Sequence, residues 1–421
     1  MDYKEALEYI NGTQWFGSRP GLARVGALLE KLGRPQDGMR FIHVAGTNGK
    51  GSCSAMLASV LKAAGYKTGL FTSPYLSRFN ERMRINGKEI GDEALAAIVS
   101  RVAPAAESMD EHPTEFELMT AAALLWYAEE KCDIVVLEVG LGGRFDATNI
   151  IEAPEAAVIM NIGLDHTAVL GGTVEQIAFE KAGIIKSGCD CVLYEQPENV
   201  TAVVRAQCKK MGARLHIADF SAIESEFDSL DGQVFSYVGD AYAIPLLGAH
   251  QLKNAAVVIE TVKVLRERGW KLAQEDVEHG LYAVSWPARF EVVADEPFFV
   301  VDGGHNPQCA QTVADNLKSY FPGTRRVLLM GVLADKDYMT MTDILNEAAD
   351  EYVCVTPDSP RALPAAKLGE CLARFGKKVS VADSIRDGVG MAIDAAAGGG
   401  MVCAVGSLYM AGEIRGCFGL K

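Results

Sequence analysis

Short apolar runs alternate with stretches of helical spacing from residue 41 onward. The β-rich runs 41–45 and 68–71 predict buried strands. Between them, residues 49–64 have the spacing of a helix that ends at Gly65. This order of strand, helix and strand indicates a parallel sheet flanked by helices.

The pattern changes twice before residue 270. A long helix is predicted over residues 114–130, because Thr114 begins a capping box, and the helix leads into an apolar strand at 134–139. Residues 214–243 then show short polar and apolar alternations around Asp-Gly and Gly-Asp turns, which predict an antiparallel β excursion. A further helix is predicted over residues 250–268.

The alternation of strands and helices resumes in the last third of the chain. Strands are predicted there at residues 298–302, 326–330, 352–355, 378–381 and 401–405. We therefore predict an α/β protein with two domains. Residues 1–294 form a parallel-sheet domain with the antiparallel excursion, residues 295–421 form a Rossmann-like domain, and the acidic segment 294–297 is the linker.

Composition narrows the class of protein. The 421 residues, 49% of them hydrophobic, exceed the ~250–300 residues at which a single core stops growing. A net charge of -15 opposes nucleic-acid binding, and the chain has neither a secretory signal pattern nor an apolar run near the ~18 residues that span a bilayer. Ten cysteines without a C-x-x-C pattern indicate reduced thiols and no zinc site. We expect a cytoplasmic monomer that binds neither nucleic acid nor membrane.

The segment between the first strand and its helix carries candidate chemistry. It reads Gly46-Thr47-Asn48-Gly49-Lys50-Gly51-Ser52. A glycine-rich turn before a helix N-terminus presents backbone N–H groups to phosphates, with a lysine for the terminal phosphates and a hydroxyl for Mg²⁺. An ordinary strand-to-helix turn is the alternative, but the lysine and the hydroxyl follow in the order that ATP binding needs. The first domain is therefore predicted to be of the P-loop ATPase type.

The loop departs from the common G-x-x-x-x-G-K-[ST] spacing, because Gly51 separates Lys50 from Ser52. In this form it resembles the loop of the Mur ligase superfamily, whose members form amide bonds through acyl phosphates. Further motifs resemble the folylpolyglutamate and dihydrofolate synthases of that superfamily, at residues 71–76, 80–82, 114–117, 137–149, 161–166, 180–184, 248–255, 302–307 and 331–337. In the motif 302–307, Gly304 replaces the usual alanine and adds backbone freedom.

The resemblance implies a role for each matching residue. ATP would be bound by Gly46, Thr47, Asn48, Gly49, Lys50, Gly51, Ser52, Asn254, Arg289 and Asp302. Two Mg²⁺ ions would be held by Ser52, Ser73, Glu138, His166 and a carbamylated Lys181. The folate would contact Thr114, Glu115, Phe116, Glu117, Phe145, Asp146 and Ala147, and the incoming glutamate His305 and Ser407. Catalytic roles would fall to Lys50, Lys181 and His305.

Taken alone, these residues leave alternatives open. Glu138 closes an apolar strand at the carboxyl end of a parallel sheet, where ligands bind, but it could instead pair with Arg144. A lone histidine such as His166 is more often structural, and Asn254 could simply belong to the first turn of a capped helix.

Lys181 is the residue for which pattern and resemblance disagree most. A Glu-Lys pair on a helix is ordinarily a solvated surface pair. Carbamylation by CO₂ requires a neutral amine, so the resemblance implies that Lys181 is partly buried and has a lowered pKa.

The resemblance implies an ATP-dependent ligase of folate and one-carbon metabolism that adds L-glutamate to a folate, with glutamate bound between the domains. The sequence leaves open whether dihydropteroate is also a substrate. A peptidoglycan Mur ligase would need a UDP-binding domain before the loop, where only 45 residues stand. A regulatory P-loop ATPase leaves Asp302 and His305 unexplained, and a dehydrogenase would need a G-x-G-x-x-G in the second domain.

Overall fold

The computed structural model describes residues 1–13 and 21–420, which form two compact units. The first unit comprises Met1–Glu224, Phe235–Ala243 and Gln251–Val284. The second comprises Ser225–Val234, Ile244–His250 and Ser285–Lys421. The compact units divide near residue 285 and not at the predicted position 295, and the segment 294–297 ends one strand of a hairpin and forms its turn.

An eight-stranded sheet organises the first unit. Its strands are β1 Phe41–Ala45, β2 Thr68–Phe71, β3 Met83–Ile85, β4 Lys88–Glu89, β5 Ile134–Glu138, β6 Ala156–Ile159, β7 Asp190–Leu193 and β8 Leu215–Ile217. They lie in the order β4-β3-β2-β5-β1-β6-β7-β8, and all pairs are parallel except β2 with β3 and β3 with β4. Every residue of β1, β5 and β6 is buried, as the continuous apolar runs require.

Helices cover this sheet. They are α1 Tyr3–Gly12, α2 Ala23–Lys31, α3 Lys50–Ala63, α4 Asp92–Glu107, α5 Glu115–Glu129, α6 Thr167–Leu170, α7 Val174–Ala182, α8 Glu198–Met211, α9 Ala249–Glu267 and α10 Gln274–Tyr282. One apolar cluster packs α1, α2, α4 and α5 on β2 and β5, and another packs α7 and α8 on β6 and β7. The predicted capping box of α5 is present, with Thr114 as the N-cap and Glu117 as its partner.

The predicted β excursion is a three-stranded meander. It consists of β9 Ile223–Ser229, β10 Gly232–Tyr237 and β11 Asp240–Ile244, in the order β11-β10-β9. Two-residue turns join the strands, so neighbouring strands run antiparallel. In the second turn Val238 and Gly239 have φ values of 53° and 92°, as a type I′ turn requires.

A six-stranded sheet forms the second unit. Its strands are β12 Glu291–Asp295, β13 Phe298–Val301, β14 Arg326–Met330, β15 Glu351–Cys354, β16 Lys378–Val381 and β17 Met401–Val405. They lie in the order β12-β13-β17-β14-β15-β16, parallel except for β12 with β13. The helices are α11 Pro307–Tyr320, α12 Tyr338–Asn346, α13 Ala365–Ala373, α14 Ile385–Ala396 and α15 Leu408–Cys417.

The five strands predicted for this unit are confirmed, and the antiparallel β12 was not predicted. All ten cysteines are free thiols. None of the helices in the described residues has the length and apolar character that crossing a membrane requires.

Candidate active site

The glycine-rich loop lies at the carboxyl end of β1 and leads into α3. Gly49 is the N-cap of α3 and has a left-handed φ of 82°, and a Cβ there would lie 2.7 Å from Asn254 Oδ1. A Cβ on Gly46 would lie 2.6 Å from Met160 Cβ. Only glycine fits at both positions. Because glycine has no side chain to cap the helix, the first N–H groups of α3 are presented to an anion.

Neighbouring strands and helices hold the loop in place. The carbonyl oxygen of Asn161, beyond β6, accepts hydrogen bonds from Thr47 N at 2.7 Å and Asn48 N at 3.3 Å. Thr47 Oγ1 donates to the Gly163 carbonyl oxygen at 3.0 Å and accepts from Gly163 N at 3.1 Å. The loop is therefore anchored to the segment that also carries His166.

The predicted nucleotide residue Asn254 lies beside this loop. On α9, Asn254 Nδ2 donates to Gln251 Oε1 at 3.0 Å, and Gln251 Nε2 reaches the buried Ser52 Oγ at 3.4 Å. Lys50 Nζ donates to the Thr47 carbonyl oxygen at 3.3 Å. The first turns of α3 and α9 thus come together at the loop, although these two helices are far apart in the sequence.

Lys181 is buried, and its amine points at the phosphate loop. Lys181 lies in the last turn of α7, and its Nζ donates to the Gly46 carbonyl oxygen at 2.8 Å. Burial, with a smaller contribution from the positive charge of Lys50, lowers the pKa of Lys181 to about 7. The alternative of a solvated surface pair is therefore wrong for this lysine. Helical spacing could not predict the burial of Lys181, because the loop that covers this residue comes from residues 140–149.

That covering loop approaches α7 through glycines. A Cβ on Gly183 would lie 2.4 Å from Arg144 Cβ, and one on Gly143 would lie 2.8 Å from the Glu180 carbonyl oxygen. Arg144 stacks on the Phe179 ring at 3.7 Å and lies 3.9 Å from Glu180 Oε1. Arg144, which could have paired with Glu138, thus reaches the acidic neighbour of Lys181.

The predicted metal ligands fall into two groups. Glu138, at the end of β5, is 3% exposed, and its Oε2 accepts a hydrogen bond from Ser73 N at 3.0 Å. His166 lies 3.9 Å from Asp165, and the Asp165 carboxylate acts on the pKa of Lys181, so this pair is near the lysine. Among the residues described, no three His, Cys, Asp or Glu side chains converge as metal ligands do. A metal site here would need ligands from Ser73 and Lys181 as well.

Asp146 is held by a buried chain of hydrogen bonds. Its carboxylate accepts from Leu141 N at 2.8 Å, Thr148 N at 3.0 Å and Thr148 Oγ1 at 2.5 Å. Thr148 Oγ1 lies 2.8 Å from Nε2 of His43, whose burial lowers its pKa to about 3. Because Thr148 donates to Asp146, the neutral His43 donates to Thr148. Sequence reasoning assigned neither His43 nor Thr148 a role of its own. His43 stands in the apolar strand 41–45, and Thr148 lies in the motif 137–149, where roles were assigned to its neighbours only.

The segment 114–117, which is predicted to contact the folate, also makes contacts within the first unit. Both oxygens of the buried Glu117 bind Arg24, at 3.1 Å each, and Oε2 also accepts from Thr114 N. Phe116 lies over Gly140, where a Cβ would lie 2.4 Å from Phe116 Cζ, while Phe145 is 51% exposed. Thus Glu117 holds the helix start, Phe116 packs on Gly140 at the beginning of the loop 140–149, and Phe145 is an exposed apolar side chain of that loop.

In the second unit, Asp302 organises the end of β13. Its Oδ2 accepts from Phe290 N at 2.8 Å and its Oδ1 from Gly304 N at 2.7 Å. Burial raises the pKa of Asp302, and the Arg289 charge opposes that shift. A Cβ on Gly304 would lie 2.8 Å from both Asp302 Oδ1 and Cys309 Cβ, and its φ is not left-handed. The lack of space for a Cβ, and not a need for backbone freedom, therefore explains why residue 304 is a glycine.

The two predicted glutamate residues lie on adjacent segments. Gly406 N donates to the Gly304 carbonyl oxygen at 3.1 Å, which joins the segment of Ser407 to that of His305. Ser407 caps α15, and His305 Nδ1 lies 3.1 Å from the Gly303 carbonyl oxygen. The motif 331–337 lies in the same unit, where Asp335 binds Arg361 at 2.9 Å and Asp337 caps α12.

Two family matches cover most of the chain. Residues 44–262 match the Mur ligase middle domain, and residues 288–408 match the family described as Mur ligase, glutamate ligase domain. With the phosphate loop and the two α/β units, these matches define an ATP-dependent ligase of the Mur type.

Comparison with individual proteins narrows the class. The chain is 38% identical to the dihydrofolate synthase/folylpolyglutamate synthase of Bacillus subtilis, over 98% of each chain. Its fold resembles Mycobacterium tuberculosis folylpolyglutamate synthase complexed with ADP and AMPPCP, with a TM-score of 0.91 and 32% identity over 100% of each chain. Escherichia coli FolC in complex with DHPP and ADP gives 0.87 and 30%, over 99% of this chain and 97% of that one. The chain belongs to the folylpolyglutamate and dihydrofolate synthase family of Mur ligases.

The predicted fold class and ligase activity are thereby confirmed. The peptidoglycan ligase alternative is not supported, because the folate-related relative matches over almost its full length.

Proposed function

We propose that the chain adds L-glutamate to the carboxylate of a folate, with ATP as the energy source and an acyl phosphate as the intermediate. The observation that carries the proposal is the 2.8 Å contact between Lys181 Nζ and the Gly46 carbonyl oxygen. It places a buried amine with a pKa of about 7 at the phosphate loop, where a simple nucleotide switch has no use for it.

The phosphate loop binds and orients the nucleotide. N–H groups of the first turn of α3, together with Lys50, neutralise the terminal phosphates, and Ser52 presents its hydroxyl beside them. Asn254 contacts the nucleotide from α9, next to Gly49. Arg289 offers a planar guanidinium for phosphate, and Asp302 offers a carboxylate for a ribose hydroxyl.

The folate carboxylate attacks the γ-phosphoryl group, ADP leaves, and an acyl phosphate forms. The glutamate amine then attacks the acyl carbon, and phosphate leaves with one oxygen of the original carboxylate. The apolar Phe116 and Phe145, with the Asp146 loop, receive the pterin end of the substrate. We assign the glutamate to His305 and Ser407, and we propose that the enzyme acts as a monomer.

The donor set fits two Mg²⁺ ions and a carbamate. Ser52, Ser73 and Glu138 offer oxygen ligands for one ion, and His166 with a carbamylated Lys181 would hold the other. Mg²⁺ would supply charge neutralisation for phosphoryl transfer. The lowered pKa of Lys181 provides the neutral amine that reacts with CO₂.

ADP release tests the ligase proposal. The assay uses tetrahydrofolate or dihydropteroate, each with and without glutamate. Release that needs a pterin substrate and glutamate together supports the proposal, and the dihydropteroate arm measures whether the same site makes dihydrofolate. ADP release that is indifferent to both substrates would overturn the ligase proposal.

The carbamate has its own test. Protein equilibrated with isotopically labelled CO₂ should show a carbamate resonance that disappears in Lys181→Met. A missing resonance, together with full activity of Lys181→Ala, would defeat the metal-ligand role of Lys181 without touching the ligase proposal.

A further inference from the structure

Arg289 stands between two residues with unusual backbone conformations. Ala288 has a φ of 55° and Phe290 a φ of 49°, in the left-handed region that side chains with a Cβ rarely adopt. Both residues are fully buried, and the Phe290 ring packs 5.7 Å from the Tyr320 ring. Such strain persists only where the surroundings impose it, and it is concentrated at functional sites.

Hydrogen bonds from three directions impose this conformation. Phe290 N donates to Asp302 Oδ2 at 2.8 Å, and the Ala288 carbonyl oxygen accepts from Gly303 N at 3.0 Å. Ala288 N donates to Glu291 Oε2 at 2.8 Å. The polar backbone groups on either side of Arg289 are therefore held before any ligand binds.

The same Glu291 oxygen also binds a buried arginine. Arg415 Nε, on α15, donates to Glu291 Oε2 at 3.0 Å, and the Arg415 side chain is only 8% exposed. A charged donor fixes the carboxylate more strongly than a neutral one. Arg415 thus secures the carboxylate that holds Ala288.

The Arg289 side chain is oriented by the same turn. Its Nη1 donates to the Ala288 carbonyl oxygen at 2.8 Å, and a Cβ on Gly303 would lie 2.9 Å from this nitrogen. The guanidinium therefore lies across Gly303, directed by the backbone that Glu291 and Arg415 fix.

We propose that Glu291 and Arg415 are positioning residues for Arg289, which they orient through the backbone of Ala288. The assignment rests on the proposed role of Arg289 in ATP binding. The proposal gives Glu291 and Arg415 no direct contact with the nucleotide. Their effect is to keep the Arg289 guanidinium ready for phosphate, so that ATP binding does not have to order the turn.

Binding of AMPPCP to the full chain, measured by calorimetry, tests the assignment. Glu291→Ala and Arg415→Met should each weaken binding about tenfold, which corresponds to ~1.4 kcal/mol. Glu291→Gln keeps an acceptor for Ala288 N and should weaken binding less. In an Arg289→Ala background, the Glu291 and Arg415 substitutions should have no further effect, because the group they orient is gone.

Glu351→Ala is the matched control. Glu351 is a buried carboxylate of the same unit that binds Arg325 and Lys378 at the other end of β15 from the loops. Its loss should lower stability and leave the dissociation constant for AMPPCP unchanged. Thermal unfolding of every variant separates loss of fold from loss of orientation, and Glu291→Gln keeps the test open if Glu291→Ala fails to fold.

Two failures are distinguishable. If Arg289→Ala weakens binding while Glu291→Ala and Arg415→Met bind AMPPCP like the wild type, the positioning role is wrong and the ATP role stands. If Arg289→Ala also binds AMPPCP like the wild type, Arg289 has no role in ATP binding. The positioning role of Glu291 and Arg415 is then wrong as well.

Discussion

Burial of Lys181 links the protonation of its amine to the stability of the fold. Its pKa falls from 10.5 to about 7 on folding, chiefly because burial disfavours the ammonium. Between these two pH values the unfolded chain binds more protons than the folded chain, so stability rises with pH across this window. Below pH 7 Lys181 is charged in both the folded and the unfolded chain. The cost of burying the ammonium then lowers the stability of the fold by its full amount.

Lys181→Met should remove this pH dependence. In CO₂-free buffer, the free energy of unfolding of the wild type, relative to Lys181→Met, should increase by roughly 1 kcal/mol per pH unit between pH 7 and 10. Denaturant unfolding at several pH values measures the difference. A flat difference would show that the Lys181 amine titrates alike in the folded and unfolded chains.

Substitutions at two glycines can distinguish the effect of backbone strain from the effect of a steric clash. Gly49 and Gly65 both have left-handed φ values, 82° and 86°, but a Cβ meets Asn254 at Gly49 and nothing within 4 Å at Gly65. Gly65→Ala should cost about 1 kcal/mol and leave nucleotide affinity intact, whereas Gly49→Ala should cost ~2–3 kcal/mol and weaken AMPPCP binding. Equal effects of the two substitutions on AMPPCP affinity would contradict the packed geometry of the loop.

At the scale of elements, the loop between β5 and the 3-10 helix Ala147–Ile150 depends on one hydroxyl. Thr148→Val removes the group that accepts from His43 and donates to Asp146. Two buried polar groups then lose a partner, so we expect a loss of ~1–3 kcal/mol and a several-fold higher KM for the folate.

Thr120→Val is the control for this loop. Thr120 is equally buried, but its hydroxyl bonds only the carbonyl oxygen of Phe116, one turn back in α5. Urea unfolding and folate KM measure both variants. If Thr120→Val raised the KM as much as Thr148→Val, the chain from His43 to Asp146 would have no special role in the site.

Elements with a strong local signal could be predicted from the sequence. The strands β1, β2 and β14, the helix α5 with its cap, and the meander turns agree closely with their patterns. The strand β12 could not be foreseen, because its residues are only half-buried and it lies at the sheet edge next to β13. The burial of Lys181 depends on a covering loop distant in sequence, which helical spacing does not reveal.

At the scale of the whole molecule, nucleotide binding should increase the stability of the folded protein. A ligand that binds only the folded state stabilises it by about 2.7 kcal/mol at a hundredfold excess over its dissociation constant. AMPPCP should therefore raise the thermal midpoint of the wild type, and Lys50→Met should abolish most of the shift. An identical shift in Lys50→Met would place the nucleotide elsewhere than the phosphate loop.

The division of the chain into two compact units could not be predicted from the sequence. An acidic Pro-containing segment such as 294–297 is typical of a linker, yet here it closes the hairpin of β12 and β13. The segments Ser225–Val234 and Ile244–His250, embedded in the first unit's sequence, belong to the second unit. Contacts between distant segments decide such membership, and they leave no periodic pattern.

The fate of a carboxylate oxygen tests the central claim most directly. A folate whose terminal carboxylate carries heavy oxygen is incubated with the enzyme, ATP and glutamate, and the released phosphate is analysed by mass spectrometry. The acyl phosphate route predicts one labelled oxygen in each phosphate formed with the amide product. Unlabelled phosphate alongside amide formation would contradict the route, since the carboxylate would never have been phosphorylated.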